Sequence, residues 1–130
     1  MADPEGGERE RLEGPLDTLT RVRGVLAALA ATEDGFPLAA RLYGEHDGEA
    51  LAAAAAAIAR SSSAVLARLG RGELEVAILE TSKLTLLVRK VSPGYLLVVV
   101  EPGANVGLVV AEMNRATRKL EHAAASLLQA

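Results

Sequence analysis

Three segments of the chain carry apolar residues at the three- and four-residue spacing of an amphipathic helix. The first begins at Pro15, the second spans residues 47–69, and the third begins at Asn105. Asp47 is placed to cap the second helix, and Gly70 follows its last turn, where a residue with positive φ is favoured. The pattern therefore predicts three helices, and the ends of the second are the best marked.

The second and third helices each carry a stripe of residues that we expect to face the core. On the second helix the stripe comprises Leu51, Ala55, Ile58, Ser62, Val65 and Leu69. On the third helix it comprises Val106, Val109, Val110, Met113, Ala116, Thr117, Leu120, Ala124 and Leu127. Because each stripe returns once per turn, both helices are expected to pack on the rest of the protein along their length.

Five shorter segments have the composition of β-strands: residues 24–32, 36–43, 72–81, 84–91 and 95–100. Asp34 and Gly35 form an Asp-Gly pair between the first two segments, which is typical of a hairpin turn. Pro37 lacks a backbone donor, so we place the second strand at a sheet edge, with Phe36, Leu38, Ala40 and Leu42 on one face. The first and last strands are apolar on both faces, as expected in the middle of a sheet.

The order of these elements predicts an α+β fold, because two sets of hairpins do not form the regular strand–helix alternation of a parallel sheet. We expect one five-stranded antiparallel sheet in the order αββαβββα along the chain. Residues 24–32 and 95–100 pair in its middle, while residues 36–43 and 72–81 form its two edges. The second helix is expected to cover one face and the other two helices the opposite face.

Composition adds limits to this picture. The 130 residues suffice for one domain with its own core, and the absence of cysteine excludes disulfides and thiolate chemistry. Residues 1–13 hold five acids against two arginines, which equals the formal net charge of -3, so we interpret them as a flexible acidic tail before a domain at 14–130. Without a basic excess or a ladder of aromatic rings, nucleic-acid binding is not expected.

The longest uninterrupted apolar stretch, residues 51–59, is about half of a membrane span. We therefore expect a cytoplasmic protein without membrane insertion.

Candidate catalytic and metal-binding groups are few. His46 and His122 are far apart in sequence and are interpreted as solvated side chains. The Glu45-His46-Asp47 cluster is a weak cation candidate, because adjacent residues seldom all point at one ion. The serines at 61–63 have no neighbouring base, and residues 102–107 lack the lysine of a phosphate-binding loop. We expect no enzyme, no cofactor and no metal; a weak hydrolase would require one of the serines at 62 and 63 beside a histidine.

The strand at 72–81 would end the sheet without the Pro or Lys that usually guards an edge. Its apolar residues are candidates for a dimer interface: Leu74, Val76, Ala77, Ile78 and Leu79. Pairing with an identical strand about a twofold axis at Ala77 places Glu75 opposite Leu79 and keeps like charges apart. The alternative is that the glutamates of this strand guard it by themselves.

The side of the second helix opposite its apolar stripe is filled by small residues. Four of them are further candidates for the dimer interface, since small side chains let two helices approach closely: Ala54, Ala57, Ser61 and Ala64. Alternatively, alanine simply favours helix on an exposed surface. A sheet continued across a twofold axis would bring two copies of this helix side by side, so the two features support each other.

Three segments of the chain carry a resemblance to a known family: DGFPLA at 34–39, LGRGEL at 69–74 and GANVGLV at 103–109. With them, residues 16–120 are similar to the roadblock/dynein light chain family. The resemblance implies a homodimer with a continued sheet and paired central helices. It also implies a non-enzymatic regulator or scaffold, in bacteria often working with a small Ras-like GTPase of gliding and polarity systems. The family has no fixed catalytic motif that would transfer catalytic residues to this chain.

The sequence therefore predicts a homodimeric adaptor that binds a small Ras-like GTPase and possesses no active site of its own. Arg60, Arg68 and Arg71 are candidate partner-binding residues, because guanidinium groups suit the carboxylates of an acidic partner surface. The alternative is that these arginines only solvate the helix. A rival function is a small-molecule sensor of PAS- or profilin-like architecture, although the predicted interior of Ala, Leu and Val offers few polar groups to orient a ligand.

Overall fold

The helices and strands follow one another in the predicted order. The computed structural model describes residues 4–128. Its elements are α1 (Pro4–Thr20), β1 (Val25–Ala31), β2 (Pro37–Leu42), α2 (Gly48–Leu69), β3 (Ala77–Glu80), β4 (Thr85–Val91), β5 (Gly94–Val100) and α3 (Val106–Leu128). The chain therefore folds as the predicted αββαβββα arrangement.

The five strands form one antiparallel sheet in the order β2-β1-β5-β4-β3. β1 and β5 pair in the middle, where Ala28 lies opposite Val98, and β5 is buried at every position. β2 and β3 form the edges. This arrangement confirms the prediction from apolar patterning, since strands covered on both faces need apolar residues at every position.

Two helical layers cover the sheet. α1 and α3 cover one face, where Leu16, Leu19, Met113 and Leu120 are buried with inward residues of β1, β4 and β5. α2 covers the opposite face and packs on a second cluster that includes Leu97 and others from the central strands. Both layers are as predicted. The side chains of the predicted α3 positions Ala124 and Leu127 lie outside the described part of the chain.

The ends of α2 are as predicted, and its buried side agrees with the prediction only in part. Asp47 Oδ1 accepts hydrogen bonds from the N–H groups of Glu49 and Ala50 at 3.1 and 3.2 Å, and Gly70 adopts a φ of 62°. Four alanines are fully buried, Ala52, Ala55, Ala56 and Ala59, and only Ala55 among them belongs to the predicted stripe. Leu51 and Ile58 of that stripe are half-buried against the same cluster, whereas Val65 and Leu69 are exposed. The α2 backbone also lies close to the β1–β2 turn, where a Cβ on Gly35 would come within 3.3 Å of the Ala53 Cα.

Three boundaries also differ from the prediction. α1 begins at Pro4 instead of Pro15, so residues 4–13 of the predicted tail are helical. Glu13, within that segment, forms a 3.3 Å ion pair with Arg41 of β2, which holds the C-terminal end of the added helix to the sheet. β3 begins at Ala77 instead of Gly72, whose φ of 104° is incompatible with an extended strand. Residues 1–3 of the predicted tail lie outside the described residues.

The predicted face of β2 is correct only in its second half. Ala40 and Leu42 pack toward α2, but Phe36 and Leu38 are exposed and Ala39 is buried on the other face. The β1–β2 register slips by one residue between Ala30 and Ala31, so that one extra residue bulges from β2. A bulge reverses the alternation of faces, which explains the error.

Candidate interaction surface

The outer edge of β3 is the first part of the surface that the sequence singled out. Thr81 N–H donates to Leu84 O at 2.8 Å, and the β3–β4 register continues from that pair to Ala77. Because antiparallel residues alternate, Ala77 and Leu79 direct their backbone groups toward β4, while Ile78 directs its own outward. The Ile78 and Leu79 side chains are 47% and 41% exposed. The edge therefore offers both backbone groups and apolar side chains.

The remaining dimer candidates of this segment lie outside the strand or inside the fold. Leu74 is half-buried beside the α2-facing cluster, and Val76 is half-buried beside the cluster of the opposite face. Ala77, the first residue of β3, is buried. The structure thus brings Ile78 and Leu79 to the edge and gives the other three a place in the packing of the chain itself.

The side of α2 that faces away from the sheet carries the second group of candidates. Ala57, Ser61 and Ala64 are exposed and Ala54 is half-buried. The predicted stripe residues Val65 and Leu69, which we expected in the core, are exposed as well, so this surface is more apolar than the sequence analysis indicated.

The length and composition of α2 sharpen this observation. Its most apolar window has a mean hydropathy of 1.5, enough by length and composition to cross a membrane, yet only 22% of that window is buried in the fold. Most of this apolar window therefore lies outside the packed core of the chain. The face formed by Ala57, Ser61, Ala64, Val65 and Leu69 is called the α2 face below.

A groove of about 520 Å³ lies between the C-terminal half of α2 and residues 72–74. The lining residues are Ala59, Arg60, Ser63, Leu66, Ala67, Gly72, Glu73, Leu74, Lys90 and Tyr95. Two sequence candidates, Arg60 and Leu74, meet in this groove. Lys90 and Tyr95 were missed, because nothing in a β4–β5 hairpin sequence indicates that its turn end reaches under a helix.

The three candidate arginines do not form one cluster. The Arg60 guanidinium donates to the Glu33 backbone carbonyl at 2.9 Å and thereby fixes the β1–β2 turn to α2. Arg68 and Arg71 are exposed near the C-terminal end of α2. Eight helical residues separate Arg60 from Arg68, or about 12 Å along the axis. Arg60 thus has a structural contact that the sequence did not reveal.

The other candidate groups stay apart. His46 precedes α2, and Ser62 lies about 20 Å farther along that helix. His122 lies on α3, on the opposite face of the sheet from the serines. The geometry required for the weak hydrolase is therefore missing from the part of the chain that the structure describes. Among the side chains that the structure describes, those of residues 11–123 and 125, no group of three metal-ligating residues comes together.

The loop before α3 is used for packing and capping. Asn105 Oδ1 accepts the Leu108 N–H at 3.1 Å, which occupies one of the donors that could have held an anion. Gly24 lies against the same loop, where a Cβ would come within 2.7 Å of the Ala104 Cβ. The segment thus ties the start of β1 to the start of α3.

The fold is shared with solved structures. The gliding protein MglB from Thermus thermophilus superposes with a TM-score of 0.84 at 22% identity, covering 97% of this chain and 95% of that one. Myxococcus xanthus MglB gives a TM-score of 0.83 at 19% identity, covering 98% and 95%. These likenesses show the fold.

Sequence comparison agrees with the structural comparison. Protein MJ1340 of Methanocaldococcus jannaschii is 28% identical over 103 residues, which are 79% of this chain and 90% of that protein. The family model described as the Roadblock/LC7 domain matches residues 13–101, more than half of the chain. The chain therefore belongs to the Roadblock/LC7 domain family, as the resemblance of its sequence had indicated.

Proposed function

We propose that this protein is a non-enzymatic, homodimeric adaptor of the cytoplasm that binds a small Ras-like GTPase and influences its GTP hydrolysis. Roadblock/LC7 domains are regulatory and adaptor domains, and two neighbours in fold are MglB proteins, one of which is described as a gliding protein. The single observation that carries the proposal is the apolar α2 face beside the outer edge of β3. A regulator of polarity, motility or signalling would use the dimer as its binding platform.

The backbone of β3 supports pairing with a second copy. An antiparallel mate about an axis at Ala77 would place residues 75–76 of the second copy, which precede β3, opposite Leu79 and Ile78, so that these residues extend the strand and accept the outward N–H of Ile78. The exposed Ile78 and Leu79 side chains would lose water contact in the same step. Both contributions favour a dimer, because an unguarded edge strand is otherwise exposed to nonspecific association.

The α2 face supports the same dimer independently. A sheet joined at β3 carries α2 of each copy on the same side, close to the axis. The small residues Ala57, Ser61 and Ala64 would let the two helices approach to roughly 8 Å, the closer end of the usual range of interhelical distances. Val65 and Leu69 would then be covered, and the apolar surface that the monomer leaves open would be buried.

The dimer part of the proposal is tested with Ile78→Pro. Its N–H points away from β4, so proline there removes an outward donor and spares the β3–β4 hydrogen bonds. We expect a mass of one chain by light scattering, whereas Ile78→Val, which keeps the donor and the apolar side chain, should retain a mass of two. A folded Ile78→Pro variant that is still fully dimeric would contradict the β3 interface.

The partner site is proposed at Arg68 and Arg71, at the C-terminal end of α2. Arg60, which lies closer to the middle of α2, is a further contributor. Arg68 and Arg71 are exposed at the C-terminal end of α2, where their guanidinium groups suit acidic residues of a GTPase surface. Arg60 is already bonded to the Glu33 carbonyl, so its guanidinium has less freedom to follow a partner. Charge complementarity of this kind accelerates association more than it adds affinity.

The GTPase site is tested by calorimetry with a Ras-like GTPase of the same genome. Arg68→Glu combined with Arg71→Glu should weaken binding about tenfold or more while the dimer mass is unchanged. The control combines Arg118→Glu with Lys119→Glu on α3, which changes the net charge equally on the opposite side of the sheet. Equal affinities for the two double variants would refute the arginine site without touching the dimer.

A second candidate function is favoured by the groove between α2 and residues 72–74. Its volume of about 520 Å³ falls in the range of small-molecule sites, and Arg60, Lys90 and Tyr95 could orient a polar ligand. A thermal-shift screen with nucleotides and common metabolites separates the two functions, because a bound ligand raises stability by mass action. A shift with a metabolite that is lost in Lys90→Ala would favour the sensor over the adaptor.

A further inference from the structure

The side of α2 that faces the sheet is covered only along the first half of the helix. Ala56 and Ala59 on that side are buried. Ser63 and Ala67 continue the same side over the next two turns and are exposed. The groove of about 520 Å³ opens under this second half of α2, and its volume is that of a small-molecule site. The fold therefore leaves room for a ligand between helix and sheet.

Lys90 of β4 and Tyr95 of β5 are cross-strand neighbours on the sheet side of this groove. Val88 pairs with Ala77 of β3, so Lys90, two residues farther along β4, also directs its backbone groups away from β5. Lys90 and Tyr95 thus form a non-hydrogen-bonded pair, the kind in which the two side chains lie closer together. Since Tyr95 belongs to the cluster beneath α2, both side chains project toward that helix.

The polar ends of this pair have no partner among the described side chains. Lys90 takes part in none of the ion pairs there. Tyr95 is only 8% exposed, and its hydroxyl neither forms a hydrogen bond with a described residue nor belongs to the fully enclosed polar atoms. The hydroxyl therefore opens into the groove that the residue lines. A phenol that is nine-tenths buried usually has a hydrogen-bond partner, which an occupant of the groove would supply.

Arg60 adds a second cation at the same end of the sheet. Its guanidinium donates to the Glu33 carbonyl at 2.9 Å, which holds it in place through only one of its N–H groups. Glu33 follows the end of β1, where Ala31 pairs with Tyr95, so this contact places Arg60 near the start of β5. The groove thus carries two cations against one carboxylate, that of Glu73.

We propose that the groove binds a small organic anion, a carboxylate or a phosphate ester, with its anionic group between Lys90 and Arg60 and beside the Tyr95 hydroxyl. Charge-assisted hydrogen bonds from two cations and one hydroxyl suit the several oxygens of such a group. The organic part of the ligand has an apolar lining to contact, which comprises Ala59, Leu66, Ala67 and Leu74.

This site rests on the groove of the second candidate function and on no part of the proposed dimer or GTPase contact. The α2 face lies on the other side of the helix, and none of its residues lines the groove. Arg68 and Arg71 do not line it either. Failure of the anion site would therefore leave the adaptor in place. A neutral metabolite found in the groove would keep the sensor function and overturn the anion class.

Phenyl phosphate and benzoate are suitable probes, and benzyl alcohol is their neutral counterpart. In an NMR titration of the isotope-labelled full chain at low ionic strength, both anions should shift the amide signals of Gly72, Lys90 and Tyr95. Benzyl alcohol should not. The anion that binds more tightly identifies the class of ligand, phosphate ester or carboxylate. Shifts of the same size with benzyl alcohol, or none with either anion, would overturn the proposal.

Substitutions test which residues hold the anion. Lys90→Gln should weaken binding of the tighter probe at least about tenfold, because it removes a charge-assisted hydrogen bond. The matched control is Lys83→Gln, which makes the same charge change in the exposed turn at the other end of β4 and should leave the affinity nearly unchanged. Equal losses in these two folded variants would overturn the proposal.

Two further variants separate hydrogen bonding and charge from packing. Tyr95→Phe keeps the buried ring and removes the hydroxyl, so it should weaken binding of the same probe about threefold or more. Glu73→Gln removes the one carboxylate that lines the groove and should strengthen binding. Affinities that stay at the wild-type value in both variants would overturn the proposed position of the anion.

Discussion

Gly94 begins β5 at the point where β1 ends, and its lack of a side chain lets the two central strands meet. A Cβ built there would collide with the Ala31 carbonyl oxygen. That oxygen belongs to the backbone of a central strand and has little room to move. At the scale of single residues, Gly94 is therefore a position where one added methyl group disturbs the core sheet.

Gly94→Ala should lower the free energy of unfolding by at least about 2 kcal/mol, because the β1–β5 pair must separate to admit the methyl group. Urea denaturation measures the effect. The control is Gly14→Ala in α1, where nothing lies within 4 Å of the added Cβ and alanine should stabilise the helix by about 0.5–1 kcal/mol. Similar stabilities for the two variants would contradict the close approach of the strands.

Residue roles of this kind could be predicted only in part. Gly70 and Asp47 were recognised because a helix cap depends on its immediate neighbours in sequence. Gly94 lies between the predicted strands at 84–91 and 95–100, but the nearby Ala31 carbonyl is 63 positions away in sequence. Arg60 was predicted to be a surface residue, and its bond to the Glu33 carbonyl depends equally on how α2 crosses the hairpin.

At the scale of elements, α2 shows what a helix sequence does and does not specify. Its start and end were predicted within one residue, since capping side chains act locally. Its orientation about its own axis was predicted only in part, because Ala55 of the predicted stripe is buried but Val65 and Leu69 are exposed. Alanine occupies so much of the helix surface that several faces have similar apolar character, and only close approach to the sheet selects Ala52, Ala55, Ala56 and Ala59.

The capping of α2 can be measured. Asp47→Ala removes the acceptor for the N–H groups of Glu49 and Ala50 and should lower the free energy of unfolding by about 1 kcal/mol. Asp47→Asn keeps an acceptor oxygen at the same place and should lower the free energy of unfolding by only a few tenths of that amount. Thermal and urea unfolding compare the two, and an equal loss for both substitutions would assign the effect to charge instead of capping.

At the scale of the whole molecule, two layers of helices protect the sheet faces, while its two edges stay available. The middle of the sheet is buried completely, so recognition must use β2, β3 or the outer surfaces of the helices. The α2 face and the β3 edge are neighbours, which is the physical basis of the proposed dimer. The β2 edge lies on the far side of the sheet from the β3 edge.

A protein whose apolar α2 face is covered by a second copy should unfold at a temperature that depends on concentration. A hundredfold dilution should reduce the stability of the dimer by about 2.7 kcal/mol, because dissociation precedes or accompanies unfolding. We therefore expect the unfolding midpoint in calorimetry to fall by several degrees over that range. Ile78→Pro should have a midpoint independent of concentration, and a wild-type midpoint with the same independence would contradict the dimer.

The sequence by itself determined the number, type and order of the elements, the central position of β1 and β5, and both edges, because these follow from local periodicity and from runs of apolar residues. The tertiary structure decided which side of α2 is buried and how far α1 and β3 extend. It also decided where the bulge displaces Phe36 and Leu38, and that Lys90 and Tyr95 line the same groove as Arg60. Each of these depends on contacts between residues distant in sequence, and a one-residue change of register or a small rotation of a helix reverses which side chains face water.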